Sequence, residues 1–347
     1  MQYQARSFDK YMQTEERRGK RKMVKTKDAV NDMTVGTPAK LIIQFMIPVF
    51  LGNIFQQFYN IADSIVAGQF IGVKALAAIG STGSLMFFVT GWLNGLSSGF
   101  AILVSQWFGA KQYDKMRHYV AMSVYLAGGC AVLMTAGLLI ANEPILRMMN
   151  YSAEIMPEVK QYMGIIYAGL IVTAAYNSLA AFLRAIGDSK SPLYFLIISA
   201  VINVALDVVF IVVFGMGVEG CAYATVIAQA ISALLCFIYI VKKFPILHLT
   251  KSDRKISFQS FGRLLSLGIP MGLQFSITAI GTIIVQGAVN VYGETYMAGF
   301  SAAGKLQNMI MTVFVAFGAT VATYVGQNRG AGRMDRVRKG IGLAIMY

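Results

Sequence analysis

The sequence predicts an all-α membrane protein that crosses the bilayer many times. Three observations carry this. Hydrophobic residues make up 56% of the 347 and charged residues only 13%, about half the charged share of a soluble domain. Mean hydropathy is +0.59. The apolar residues also fall in runs of about 20 or more, the length a helix needs to span a hydrocarbon core. Lipid offers no partner to an open backbone, so such runs are helices, and they are too long for the alternating segments of a barrel.

In chain order the runs cover residues 41–66, 76–106, 119–140, 160–183, 192–214, 217–241, 263–289 and 297–325. That is eight spans, with a ninth beginning near Ile341. The loops orient them. If the tail is cytoplasmic, sixteen Lys and Arg fall on inside loops, among them Lys111, Arg184, Lys242, Arg254 and Arg333, against Lys74, Arg147 and Lys160 outside. Inside loops of membrane proteins are enriched in these residues. The net charge of +14 is therefore a matter of topology and of anionic headgroups, and no nucleic-acid partner is expected. Cys130, Cys221 and Cys236 lie in apolar runs without CxxC spacing and read as small buried hydrophobes, not as a disulfide frame or metal site. The polar first 35 residues contain no signal peptide core.

An internal repeat follows. Ile47-Pro48 in the first span recurs as Ile269-Pro270 in the seventh, 222 residues on. Gln106-Trp-Phe-Gly-Ala-Lys111, with Asp114 and Arg117, recurs 221 residues on as Gln327-Asn-Arg-Gly-Ala-Gly332, with Asp335 and Arg338. Six spans separate equivalent positions, so both copies point the same way across the membrane. The expected organisation is a basic cytoplasmic tail (1–36), a six-span bundle (37–245), a cytoplasmic linker (246–262) and part of a second bundle (263–347). A complete second copy would run further, so a truncated twelve-span protein is expected.

Three ionisable residues remain inside spans: Asp63, Asp207 and Lys305. A charge at mid-bilayer costs roughly 2.5–3.5 kcal/mol or more, so such residues face cavities and serve functions. Each aspartate sits on a polar helical stripe: Asn53, Gln56, Asn60 and Asp63 in the first span, and Ser199, Asn203 and Asp207 in the fifth. Thr225, Gln229 and Ser232 form a stripe in the sixth, and Gln274, Thr278, Thr282 and Gln286 one in the seventh. At 1.5 Å per residue, Asp207 stands roughly 22 Å above the inner end of its span and Thr225 roughly 12 Å below the outer end of its own. The two heights agree, and Asp63 also lies in the outer half. Two carboxylates, an amide and a hydroxyl in one pocket suit proton or hard-cation handling. Gly215–Gly220 satisfies GxGxxG but joins two spans and lacks the acid about 20 residues downstream, so it is no dinucleotide site.

With these residues in hand, the sequence resembles the multidrug and toxic compound extrusion (MATE) transporters, in particular the prokaryotic branch with an N-lobe carboxylate site. The resemblance is carried by IPVFLGNIFQQFYNIADSIVAGQFIG, FLRAIGDSKSP, INVALDVVFIVVFGMGVEGCAYATVIAQ, GIPMGLQ and VGQNRGAG. It implies a V-shaped pair of six-helix bundles, monomeric in the plasma membrane, that exports amphipathic, often cationic, compounds against inward proton or sodium flow. No other cofactor and no enzymatic activity are implied. On this resemblance Asp63, Asn203, Asp207 and Thr225 are the coupling residues and a candidate sodium site. Gln56, Tyr162 and Asn177 match further positions. With Asn60, Gln229, Gln274 and Lys305 they make up the candidate substrate pocket, and Pro48 is the candidate hinge. Some relatives carry a glutamate where this chain has Thr278, so no second-bundle cation site is expected there. The alternatives are a lipid-linked oligosaccharide flippase of the same superfamily and an inactive fragment.

Overall fold

The computed structural model describes residues 32–149, 151, 153–290 and 294–346, with the backbone alone for 60, 73, 77, 283, 286, 287, 290, 294–302, 305, 306, 308 and 309. The basic tail expected at 1–36 thus lies outside the described residues up to 31, and so do the side chains of Asn60 and Lys305.

Among the described residues all regular structure is helical. The helices are α1 (Pro38–Phe70), α2 (Val73–Ser81), α3 (Gly83–Gly109), α4 (Tyr113–Ile140), α5 (Asn142–Met148), α6 (Met156–Ala168), α7 (Leu170–Ala185), α8 (Lys190–Val208), α9 (Val218–Lys243), α10 (Phe258–Asn290), α11 (Glu294–Gly330) and α12 (Met334–Met346). Among the described residues, seven helical stretches are long and apolar enough to cross a membrane. The pair α6 and α7, bent by 48° at Gly169, makes an eighth. A side chain at Gly169 would strike Val226 of α9, so the fourth span bends where it presses closest on its neighbour. Side chains such as Leu133 (76% exposed) and Ile140 (83%) point outward, as lipid-facing residues do.

The turns between spans explain several motifs. In FLRAIGDSKSP, α7 ends on Gly187 at φ +96°, which lets Gly187 and Asp188 donate back to the Arg184 and Leu183 carbonyls. The Asp188 carboxylate then accepts the Ser191 backbone N–H (3.0 Å) and hydroxyl (2.7 Å), capping the first turn of α8. The basic end of the bundle, which carries Lys111, Lys242 and Arg333, uses one cap twice. Gly332 (φ +73°) closes α11 and Lys111 (φ +59°) closes α3. The next residue donates to an equivalent carbonyl in each, Gln112 to Trp107 and Arg333 to Asn328. Only the glycine takes that conformation without strain. Lys111→Gly is expected to raise stability by about 1 kcal/mol, and Lys111→Val to lower it; thermal unfolding in detergent measures both.

Two seams join the helices of residues 37–245 to those of 258–346. Along the first, α3 presents Gly95 and Gly99 to Gly272 and Gly268 of α10, and Gly91 to the Phe275 side chain. A Cβ on Gly95 would lie 2.5 Å from the Met271 carbonyl oxygen and one on Gly99 2.6 Å from Gly268 Cα, so the backbones touch. At the basic end, α3 crosses α11 reciprocally. A Cβ on Gly109 would run into the Gln327 carbonyl, and one on Gly330 into the Gln106 carbonyl. The residues of each pair are 221 apart from their counterparts, so the contact is two-fold symmetric.

Candidate functional site

Three helices deliver the polar residues singled out in the sequence to one place. Asp63 comes from the last third of α1, Asn203 and Asp207 from one face of α8, and Thr225 from α9. All four are buried, Asp207 completely. The Thr225 hydroxyl donates to Asp63 Oδ2 at 3.2 Å, so the matched depths correspond to a contact. The side chains of Asn203 and Asp207 face the same carboxyl. Yet Asp63 Oδ1, both carboxyl oxygens of Asp207 and both polar atoms of Asn203 have no hydrogen-bond partner. Buried polar atoms are nearly always satisfied, and leaving one bare costs roughly 1–3 kcal/mol. Five such atoms around one point form an oxygen-rich cradle fitted to a proton or a small hard cation.

The backbone beside the cradle is irregular. Directly after Asp207, α8 passes into a π-helical turn, Val209–Val213, and the chain reverses through Gly215 at φ +66°. Single π turns inside α-helices recur at functional sites. The apolar run gives no sign of it.

Two contributors escaped the sequence reading. Tyr59, one turn before Asp63, contacts Gln56 and Gln229; its i, i+4 spacing to Asp63 was the available signal. Cys221, one turn before Thr225, is buried as expected but also faces Asp207, so it is part of the site wall and not filler. Gln229 accepts a hydrogen bond from Thr173 of α7 at 2.5 Å, and Tyr162 of α6 is buried close by. Asn177 is half-buried on α7.

In the seventh-span stripe Gln274, Thr278 and Thr282 are exposed. Helix α10 meets α3 through Gly268, Gly272 and Phe275, and of the three stripe residues Gln274 points farthest from that contact. Thr278 and Thr282 satisfy their hydroxyls on the carbonyls one turn back. Pro48 is buried, and α1 runs through it as one helix. Among the described residues no group of three His, Cys, Asp or Glu side chains could hold a metal ion.

A model of the MatE family matches residues 48–209, which include Asp63, Asn203 and Asp207. The probable multidrug resistance protein YpnP of Bacillus subtilis is 32% identical over 310 residues, covering 88% of this chain and 68% of that protein. The chain belongs to the MATE family. The probable multidrug resistance protein YoeA of the same organism is 30% identical over 308 residues, 87% of this chain and 66% of its own length. The chain thus spans about two thirds of these relatives. A solved MOP-superfamily transporter from Pyrococcus furiosus superposes with a TM-score of 0.85 over 91% of this chain and 70% of its own, at 23% identity. As a MATE protein the chain is a multi-pass membrane transporter, and its relatives' names connect that fold with multidrug resistance.

Proposed function

We propose that this MATE protein is a secondary antiporter of the plasma membrane that exports amphipathic, often cationic, compounds in exchange for protons or sodium. The supporting observation is the set of unpartnered oxygens of Asp63, Asn203 and Asp207 beside Thr225. A resident ion or proton would satisfy them, and an ion-free state would draw in a cationic guest. Gln56, Tyr59, Tyr162 and Gln229 give that guest polar and aromatic contacts next to the carboxylates. Pro48 gives α1 no backbone hydrogen bond to the carbonyl one turn back, so α1 bends most easily there, about 22 Å from Asp63.

Guest and coupling ion then exclude each other, because both use the same carboxylates. In the purified protein, lowering the pH or adding sodium is expected to weaken binding of a cationic dye severalfold, and Asp63→Asn to flatten that dependence. Dye affinity independent of both pH and sodium would overturn shared-carboxylate exchange.

In the proposed orientation the basic end is cytoplasmic. At the opposite end, the exposed cations Arg147 and Lys160 both pair with Glu143, at 2.6 and 2.7 Å. Hydrogen bonds from Lys160 and then Arg147 hold the Glu143 carboxyl down at about 2. That end therefore presents little free positive charge, as the outer face requires. In a background lacking Cys130, Cys221 and Cys236, a cysteine at Glu154 should react with an impermeant thiol reagent in intact cells. One at Lys115 should react only after the membrane is opened. The reverse pattern would invert the topology.

A further inference from the structure

The basic end carries a structure that the carboxylate site does not use. Residues 32–36, just ahead of α1, lie across α11 and α12. The Met33 N–H donates to Gln327 Oε1 at 3.0 Å, and the Met33 carbonyl accepts from Asn328 Nδ2 at 3.0 Å and Arg336 Nη2 at 3.2 Å. The Thr34 carbonyl accepts from Arg333 Nη1 and the Gly36 carbonyl from Arg336 Nη1, each at 2.8 Å. Gln327 also donates through Nε2 to the Ala185 carbonyl at the end of α7, at 2.9 Å. One fully buried amide thus ties the strap, α11 and α7 together. The Met33 side chain is buried with Ile42, Phe45 and Tyr324. Gly36 turns the chain at φ +104°, which aims its carbonyl at Arg336.

The linker ahead of α10 makes the converse contact. Arg117 of α4 donates to Asp253 Oδ2 at 3.0 Å, and His118 bridges the Asp253 carbonyl and the Ser260 hydroxyl. Asp253 lies 221 residues after Asp32, the first residue of the strap. Burial works to raise the Asp253 carboxyl, but hydrogen bonds from Thr250 and Arg117 outweigh it and hold it below its usual range. Each entering segment therefore grips the other set of helices.

We infer that residues 32–36 form a releasable strap that holds the basic end closed, with Gln327 and Arg336 as the positioning residues that receive it. The α3–α10 glycine seam and the α3–α11 crossing at Gly109 and Gly330 both bring backbones into contact and cannot widen without losing that fit, so α3 acts as the pivot. The α1–α11 side opens when the strap lets go. The three arginine bonds to the Met33, Thr34 and Gly36 carbonyls run from side-chain donors near solvent, where water can replace them, while the Met33 bonds to Gln327 and Asn328 are buried and re-form when the strap seats again, so release is reversible. Only the consequence for export rests on the antiport reading; the strap is tested without transport.

The test is a distance measurement between spin labels at Lys115 on α4 and Arg338 on α12, in lipid nanodiscs and without the native cysteines. A control pair at Lys115 and Lys242 reports on the first set of helices alone. Arg336→Gln should enlarge the long-distance population of the first pair about tenfold, as expected when charge-assisted hydrogen bonds are lost. The control pair should stay unchanged, and Arg336→Lys should restore part of the closed population. Gly36→Ala, whose new methyl meets only the Leu41 side chain at 3.7 Å, an ordinary contact, should give a similar opening by penalising the bound φ, and it decides the matter if Arg336→Gln fails to insert. An unchanged first pair in the variants would overturn the strap. Broadening of both pairs would also overturn it, since residues 32–36 would then support the fold generally. A protein without ion coupling could still show the opening, so the two readings fail separately.

Discussion

Asp207→Asn is expected to reduce ion-driven dye efflux to the level of vesicles without the protein, while leaving insertion and folding intact. Asparagine keeps the shape of the side chain and removes its charge and its exchangeable carboxyl proton. Asp207 is fully buried and neither carboxyl oxygen is bonded, so no structural hydrogen bond is lost with the charge. The Thr225–Asp63 contact on the far side of the cradle remains. What disappears is the second of two carboxylates that face one another across a water-poor site, and with it the capacity to trade one cation for another. Thr225→Val should be milder, a severalfold loss, because it removes one neutral ligand. Efflux measured in everted vesicles under imposed proton and sodium gradients separates the cases. Wild-type rates in Asp207→Asn would exclude the cradle as the coupling site.

The second large effect concerns the fold. Gly95→Leu should abolish monodisperse, folded protein. Its first side-chain atom would already sit 2.5 Å from the Met271 carbonyl oxygen and 2.6 Å from Gly272 Cα. These are backbone atoms of a packed helix and cannot rotate away as a side chain would. Overpacking a close contact costs typically 1–3 kcal/mol even where side chains can give, and here two helices must part along three glycines. Gly128→Ala is the control. Nothing lies within 4 Å of a Cβ there, and alanine favours a helix by up to about 1 kcal/mol. Size-exclusion profiles and thermal unfolding in detergent report both. A Gly95→Leu protein as stable as the parent would mean that the seam contributes nothing.

The spans were legible because bilayer thickness imposes a length on every apolar run, and the eight read from hydropathy correspond to the helices observed. Asp63, Asn203, Asp207 and Thr225 were legible for a related reason. Polar residues are so unwelcome in lipid that their helical spacing and depth alone select partners. For Gln274 the stripe says that a face avoids lipid but not which face packs, and on α10 the glycines take the contact with α3. The pattern Gly91-xxx-Gly95-xxx-Gly99 was available as a signal, since small residues four apart let helices approach, but its partner on α10 cannot be named from spacing.

By itself the sequence determined the helical class, the number of spans and the four residues of the cradle, because these follow from local properties: hydropathy, helical period and charge. Only the tertiary structure decided that five oxygen and nitrogen atoms of the cradle stand unpartnered, that α8 gives way to a π turn beside Asp207, and that residues 32–36 grip Gln327 and Arg336 nearly 300 positions away. Each of these depends on which atoms of distant segments meet. Hydrogen bonds and close contacts act over about 3 Å, a range that no pattern along the chain can specify.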